Sequence, residues 1–209
     1  MINSNNYNIL LFLFIILVIG FCIGIIIVII NFIEQIIYWN DPKKMLFLPT
    51  KLKLIENELI QIVSKYDINT KNYHLVEMGC GRAGVLRFLN RKYKWKSIMG
   101  IEGQSIIWLQ AILLSIGTNI IIKKEDFYKT DLPVPAIYYC YLGQVLMADL
   151  YKQKKFENSL VISLDYQITG VEYLSCHPLK SNNRIQNNIY VYDFRPKLPT
   201  NLYVKTNAL

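Results

Sequence analysis

Residues 75–84 (LVEMGCGRAG) contain the side chains best suited to chemistry in this sequence. A short apolar stretch, typical of a strand, runs directly into Gly79, Cys80 and Gly81. Glycines let the backbone turn tightly and let a ligand approach the main chain. A helix predicted after this turn would direct the positive end of its dipole at that ligand. The pattern therefore predicts a cofactor site at a strand–turn–helix junction.

Two cofactors compete for this turn. The spacing Gly79-x-Gly81-x-x-Gly84 satisfies the dinucleotide pattern. Glu77, two residues before the first glycine, argues against a dinucleotide because a carboxylate there would repel a pyrophosphate. S-adenosylmethionine carries no phosphate, and a carboxylate can hold its ammonium group by a charge-assisted hydrogen bond or through water. Glu77 therefore favours S-adenosylmethionine, and a nicotinamide dinucleotide remains the alternative.

Further candidate residues stand at the ends of later predicted strands. Glu102 and Gly103 end the second strand, where a carboxylate suits two ribose hydroxyls. Asp126 and Phe127 follow the third strand and could contact the adenine amino group and ring. Tyr141 ends the fourth, beside the expected position of the reactive methyl. Ligands of open α/β sheets bind at the carboxyl ends of strands, so we expect these residues to lie together.

Strands and helices alternate along most of the chain after residue 50. The hydrophobic spacing predicts a helix over 51–65, for which Thr50 is a candidate N-cap. Further helices are predicted at 84–91, 105–116 and 145–153, and strands at 74–78, 97–102, 119–122, 136–142, 160–166 and 188–194. This alternation predicts an α/β fold with a parallel, doubly wound sheet. Only a polar loop separates the last two strands, which indicates an antiparallel hairpin at one edge.

Residues 9–30 contain no charged side chain. As a helix this run would be roughly 33 Å long, enough to cross a hydrocarbon core of about 30 Å. The preceding residues lack the basic charge of a secretory signal, so we expect a retained transmembrane anchor in the lipid bilayer. Lysines follow the run at positions 43, 44, 51 and 53. The positive-inside rule then places the N-terminus outside and the rest in the cytoplasm, or on the matrix side of an organelle.

The predicted organisation is a tail and anchor over residues 1–38, a linker and lead-in over 39–50, and a catalytic domain over 51–209. The chain has 23 basic and 15 acidic residues, a net charge of +8. The basic residues are scattered and accompany no nucleic-acid recognition motif, so we expect no nucleic-acid partner. Four cysteines and two histidines fit no zinc pattern, and no metal site is expected.

Several segments, in order, resemble a family of class I S-adenosylmethionine-dependent methyltransferases. Its members modify lysines of the ATP synthase c subunit and the adenine nucleotide translocase, and it has prokaryotic relatives. The resemblance covers residues 45–195 and rests on FLPT, VEMGCGRAG, GIEG, KEDFYKTDL, YLGQVLMADL, VISLDYQITGVE and IYVYDF. An N-terminal membrane segment is also typical of many members. The sequence departs from the family pattern at Arg82, Ala83 and Gln144.

The resemblance implies a Rossmann-like fold and methyl transfer to a lysine of a membrane protein at the membrane surface. A neutral amine would displace the methyl directly, in a geometry that the enzyme aligns. Tyr139, Tyr141 and Tyr166 would form an aromatic entrance, and Asp165 would orient the amine. Tyr141 and Asp165 are therefore the predicted catalytic residues. The alternatives are a methyltransferase for a small or lipid-like acceptor, a nicotinamide-dependent oxidoreductase, and a non-catalytic cofactor-binding membrane protein.

Overall fold

The computed structural model describes residues 4–39, 49–66, 68–179 and 187–196. These residues form helices α1 (Ser4–Trp39), α2 (Leu52–Lys65), α3 (Gly84–Lys92), α4 (Ser105–Leu114) and α5 (Gln144–Lys152). The strands are β1 (His74–Met78), β2 (Ser97–Ile101), β3 (Ile120–Lys123), β4 (Ala136–Cys140), β5 (Ser159–Leu164), β6 (Ser175–Pro178) and β7 (Asn188–Asp193).

The strands form one seven-stranded sheet in the order β3-β2-β1-β4-β5-β7-β6. The first five strands in this order are parallel, and β7 runs antiparallel to both β5 and β6. The predicted doubly wound sheet with an antiparallel edge is therefore confirmed. One detail differs: β6 was not predicted, and β6 rather than β7 is the edge strand. Its residues contain no apolar run, so its strand conformation depends on pairing with β7.

Apolar layers cover both sides of the sheet. One layer contains Leu59 of α2 and Leu86 of α3, and the other contains Met147 of α5. Side chains of β4 alternate between the layers, so Tyr139 enters the first and Tyr138 the second. In a sequence, strands that are buried on both faces appear as nearly continuous apolar runs. These strands could therefore be predicted from the sequence.

The N-terminal end of α2 differs from the prediction. Lys51, and not Thr50, occupies the N-cap position, and no side chain in the described part of the chain caps the helix there. Ile55 and Leu59 face the core, as the helical spacing indicated. Thr50 instead lines a cavity at the edge of the sheet, described below.

Helix α1 is a continuous helix of 36 residues, longer than the apolar run itself. Its stretch Asn8–Glu34 contains an 18-residue window with a mean hydropathy of 3.5 and is long and apolar enough to cross a membrane. Near its C-terminal end, both oxygens of the Glu34 carboxylate accept the backbone N–H of Ser105, at 3.0 and 3.1 Å. Helix α1 is thereby joined to the first residue of α4. Residues 40–48, most of the predicted linker, lie outside the described residues.

Candidate functional site

The predicted site residues follow five neighbouring parallel strands. Along the sheet, Asp126 comes after β3, Glu102 after β2, Gly79 after β1, Tyr141 after β4 and Asp165 after β5. The carboxyl ends of parallel strands share one edge of the sheet. The topology therefore brings these positions to the same edge, where open α/β sheets bind their ligands.

The glycine turn after β1 has a backbone that favours glycine. Gly79 has φ +67° and Gly81 has φ +54°, in the left-handed region. A Cβ atom on Gly79 would lie 3.2 Å from Cδ2 of Leu142, just beyond β4. The turn is thus packed closely against the end of the neighbouring strand, and a side chain at position 79 would require the Leu142 side chain to shift by a few tenths of an ångström.

Cys80 fixes the same turn to β2. Its backbone N–H donates to the carbonyl of Ile101 at 2.9 Å. Its side chain is buried against Gly100, where an added Cβ atom would lie 2.7 Å from the sulfur. Burial raises the pKa of the Cys80 thiol well above its ordinary value, with a further contribution from Glu77. The thiol is therefore a neutral packing group, and the predicted cofactor contact of Cys80 would have to use its backbone.

Glu77 is 5% exposed, at the last position but one of β1. Burial raises the pKa of its carboxyl well above the ordinary value of 4.5; a hydrogen bond from the backbone of Leu86 opposes this, and nearby Glu102 adds to it. The Oε2 atom has no hydrogen-bond partner among the described residues. A buried carboxylate oxygen without a partner is costly, and a cationic group placed beside it would remove that cost.

Glu102 connects the glycine turn to the loop after β2. Its Oε2 accepts the N–H of Gly81 at 2.9 Å, and its Oε1 accepts the N–H of Gln104 at 2.8 Å. Burial raises the pKa of the Glu102 carboxyl, while hydrogen bonds from the backbone of Gln104, Gly81 and Gly103 oppose the shift. A carboxylate has about four acceptor positions, so Glu102 retains capacity for ligand hydroxyls. The structural role of this residue was not anticipated from the sequence.

Asp126 and Phe127 lie beyond β3. Asp126 is exposed, and its Oδ1 accepts the N–H of Tyr128 at 3.0 Å in a local turn. The Phe127 ring is half-buried, 5.0 Å from the ring of Tyr128, and packs against the apolar layer that contains Met147. Both residues stand at the predicted edge of the sheet, and their contact with an adenine stays a prediction.

A cavity of about 340 Å³ opens beside Tyr141 and Asp165, at the ends of β4 and β5. Pro49 and Thr50, which precede α2, also line it. In the parallel pairing of β1 with β4, Met78 lies opposite Cys140. The next residues along the two strands, Gly79 and Tyr141, are therefore at the same level of the sheet. Tyr141 is thus the lining residue of the cavity that stands beside the glycine turn.

The Asp165 carboxylate has a fixed orientation in this cavity. Its Oδ2 accepts from Nδ2 of Asn187 at 2.7 Å, and its Oδ1 accepts the N–H of Asn188 at 3.2 Å. The backbone of Asp165 is in the left-handed region, with φ +65°. These contacts hold the acid between β5 and β7.

Two aromatic rings lie together at the ends of β4 and β5, and one of them, Tyr141, lines the cavity. The ring centroids of Tyr141 and Tyr166 are 6.0 Å apart. Burial raises the pKa of the Tyr141 hydroxyl, and the charge of Asp165 adds to the shift. Tyr139, predicted with them, is only 1% exposed and lies in the core. Of the three tyrosines predicted to form an aromatic entrance, only Tyr141 and Tyr166 lie outside the core, and their role stays a prediction.

Sequence reasoning missed three residues that shape this edge. Thr50 was assigned to a helix cap, although it belongs to the FLPT segment quoted above. Asn187 comes immediately before β7, but no local pattern pairs it with Asp165. Glu34 is the only charged residue among residues 1–38, and this isolated charge was the one feature of the sequence that could have indicated its role.

No family model and no curated protein matches this chain. Solved structures do match it. An RNA methyltransferase from Salinibacter ruber in complex with S-adenosyl-L-homocysteine has a TM-score of 0.55 and 15% identity, over 74% of this chain and 99% of that one. A human methyltransferase 10 domain containing protein has a TM-score of 0.52 and 11% identity, over 71% and 85%.

A third match is the B. subtilis M1A22 tRNA methyltransferase, with a TM-score of 0.51 and 13% identity over 63% of each chain. At these identities the similarity concerns the fold. The chain has the fold of class I S-adenosylmethionine-dependent methyltransferases, as the sequence predicted.

Proposed function

We propose that this chain is an S-adenosylmethionine-dependent methyltransferase. The observation that carries the proposal is the buried Oε2 of Glu77, which has no hydrogen-bond partner among the described residues and lies beside the glycine turn. The ammonium group of S-adenosylmethionine would satisfy it. Glu102 and Gly103 would contact the ribose, and Asp126 and Phe127 the adenine.

The charges at this edge favour this cofactor over a dinucleotide. The charge of Glu102 raises the pKa of Glu77, and this effect is larger than the opposing effect of Arg87. Two neighbouring carboxylates create a negative potential that attracts a cation and repels a pyrophosphate. The glycine spacing alone does not distinguish S-adenosylmethionine from a dinucleotide.

The cavity beside Tyr141 supplies a place for an attacking amine. The cofactor provides an electrophilic methyl group on a sulfonium. Tyr141 and Tyr166 limit the water around the amine, which lowers the pKa of a lysine and favours its neutral form. Asp165, oriented by Asn187 and Asn188, accepts a hydrogen bond from the amine. A carbon–nitrogen bond forms as the carbon–sulfur bond breaks, and the amine's surplus proton leaves to solvent.

We infer that the acceptor is a lysine of a membrane protein, close to the membrane surface. The proposal is supported by α1, which is joined through Glu34 to Ser105, three residues beyond Glu102. The proposed anchor therefore meets the domain at the edge of the cofactor site. Tethering raises the effective concentration of acceptors in the plane of the membrane. A small or lipid-like acceptor satisfies the same geometry and is the first alternative.

An RNA acceptor is a second candidate. The chain has a net charge of +8, which favours a polyanion. Two of the three similar structures described above are RNA or tRNA methyltransferases. Those names describe the substrates of those proteins only. For this chain, RNA is an acceptor that the labelling experiment below tests.

One labelling experiment separates these acceptors. The purified full-length chain is incubated with methyl-labelled S-adenosylmethionine and with membranes, lipid extract or total RNA from cells that lack it. We expect label on a membrane protein, located to a lysine by mass spectrometry. Asp165→Asn should reduce this label at least tenfold, whereas the exposed control Asp131→Asn should not. Label only in lipid or only in RNA would contradict the lysine proposal.

The orientation of the proposed anchor is tested separately. Because Lys51 and Lys53 follow α1 closely, the positive-inside rule places the domain on the cytoplasmic or matrix side. Protease added outside intact cells or organelles should leave the domain uncut until the membrane is permeabilised. Digestion without permeabilisation would show the opposite orientation.

A further inference from the structure

The outer side of α4 is apolar and exposed. Ile107 and Ala111 are the residues of this helix that are buried in the core. Apolar side chains between 44% and 73% exposed lie on the opposite side, at the end of the helix, in the loop after it and on the adjacent edge strand: Leu109, Leu113, Leu114, Ile116 and Ile121. We call these five residues the α4 surface. On the helix, Leu109 and Leu113 are four residues apart, so they lie on one face.

The α4 surface begins where the apolar part of α1 ends. Glu34 is the last residue of the apolar stretch Asn8–Glu34, and its carboxylate accepts the N–H of Ser105, the first residue of α4. If α1 spans a bilayer, Ser105 is held at the level where α1 leaves the hydrocarbon. The exposed apolar side chains of α4 follow within a few residues.

Aromatic and basic side chains border the same surface. Nζ of Lys124 lies 6.0 Å from the centroid of the Trp108 ring. Tryptophan is enriched at membrane–water interfaces, and lysine reaches from an apolar surface toward lipid headgroups. Trp108 belongs to α4 itself, and Lys124 follows β3, the edge strand beside it. The border therefore has the chemistry of an interface with anionic lipid.

We propose that the α4 surface lies in the boundary between lipid headgroups and acyl chains, as a second membrane contact beside α1. The proposal rests on the proposed membrane span of α1. Burial in this boundary removes a contiguous apolar patch from water, as in helices that lie in the membrane plane. The domain is then held on the bilayer by its β3 edge. Glu102, three residues before α4, is held near the lipid surface.

Fluorescent labels at single cysteines test this contact in the full-length chain. Cys22 and Cys176 are replaced by serine, and the buried Cys80 and Cys140 are retained. One protein carries Leu113→Cys. The matched control carries Val145→Cys, which is 64% exposed on α5, on the other side of the sheet. Each is labelled with a polarity-sensitive fluorophore in vesicles of phosphatidylcholine and phosphatidylglycerol.

A third protein keeps native Cys22, within α1, as the reference for the membrane span. Quenching is measured with phospholipids that carry a nitroxide near the headgroup or deep in the acyl chain. We expect the label at position 113 to be quenched by the shallow nitroxide at least threefold more than the label at 145. The label on Cys22 should be quenched by the deep nitroxide.

The contradictory outcomes are distinct. Equal, weak quenching at 113 and 145, with Cys22 quenched, would overturn the second contact and leave the span of α1 in place. Absence of quenching at Cys22 would overturn the membrane span and, with it, this proposal. A third outcome is a dimeric protein in which the label at position 113 is protected from aqueous iodide but is not quenched by the nitroxide lipids. This outcome would show that a second copy of the chain covers the α4 surface.

Discussion

The carboxylate of Glu102 accepts the backbone N–H of Gly81 at 2.9 Å, a bond between the end of β2 and the glycine turn after β1. Gly81 has a positive φ, and its N–H would otherwise be buried without this acceptor. One acid thus holds the shape of the turn and faces the proposed ribose site. We therefore expect stability and cofactor binding to be coupled at Glu102.

Replacing Glu102 with glutamine should weaken both properties. The side-chain amide keeps one acceptor oxygen, but its NH₂ group would face a backbone N–H donor. We expect the free energy of unfolding to fall by about 1–3 kcal/mol. Chemical denaturation and calorimetry with S-adenosylmethionine measure the two effects. The control Glu125→Gln removes an exposed acid 3.7 Å from Lys123 and should change stability by less than about 1 kcal/mol. Equal effects in the two variants would contradict the structural role of Glu102.

Replacing Glu77 with glutamine should affect binding specifically. The variant keeps the shape of the side chain but loses the charge that would hold an ammonium group. A charge-assisted hydrogen bond contributes about 1.5–3 kcal/mol, so we expect affinity for S-adenosylmethionine to fall about 10- to 100-fold. Glu157→Gln, on an exposed acid paired with Lys154, is the matched control. Unchanged affinity in Glu77→Gln, or binding of a nicotinamide dinucleotide instead, would contradict the cofactor assignment.

The pH dependence of stability should report the same carboxyl. The folded-state pKa of Glu77 is raised above 4.5, so the folded chain retains a proton that the unfolded chain releases. Its contribution is complete below pH 4.5 and is lost as the pH rises through the raised pKa. The free energy of unfolding without cofactor should therefore decrease over this window, and less steeply in Glu77→Gln. Denaturation at a series of pH values measures the slope, and identical slopes would refute the prediction.

Cofactor binding should have the opposite pH dependence. An ammonium group stabilises the Glu77 carboxylate, so binding releases a proton and affinity rises with pH over the same window. Calorimetry in two buffers of different ionisation enthalpy measures the released proton. We expect Glu77→Gln to lose this release, and a release that survives the substitution would have to come from another group.

Gly100→Ala should destabilise the chain through the glycine turn. The new methyl group would lie 2.7 Å from the sulfur of Cys80 and 2.9 Å from Cδ1 of Ile122. Overpacking of this kind costs about 1–3 kcal/mol in the free energy of unfolding. At Gly84, an added Cβ meets nothing within 4 Å, so Gly84→Ala is the control and should be near neutral. Equal stability of both variants would show that β2 moves freely away from the turn.

Most of the sheet could be predicted because its signals are local. The buried strands are short segments of mostly apolar residues, and the predicted range of β1 is the observed one. The site followed from the glycine spacing and from the rule that ligands bind at strand ends. Strand β6 could not be predicted, since its alternate residues are exposed and only its pairing with β7 defines it.

Contacts between distant segments left no local signal. Glu34 and Ser105 are 71 positions apart, and Asp165 and Asn187 are 22 apart. Each pair combines common polar residues, and nothing in either segment specifies the partner. Their roles depend on how the strands and helices pack, which a single sequence does not encode as a pattern.

The length of α1 has a consequence for the domain it carries. The apolar run 9–30 within α1 is roughly 33 Å long as a helix, slightly more than a hydrocarbon thickness of about 30 Å. In a bilayer this hydrophobic mismatch is relieved by tilting the helix or by thickening the surrounding lipid. Because Glu34 joins α1 to α4, a change in tilt would rotate the catalytic domain as well. If α1 spans a bilayer and the acceptor is a membrane protein, as proposed above, membrane thickness would set the angle at which the cavity beside Tyr141 faces the lipid surface. The same chain would then reach different acceptor loops in thin and thick membranes.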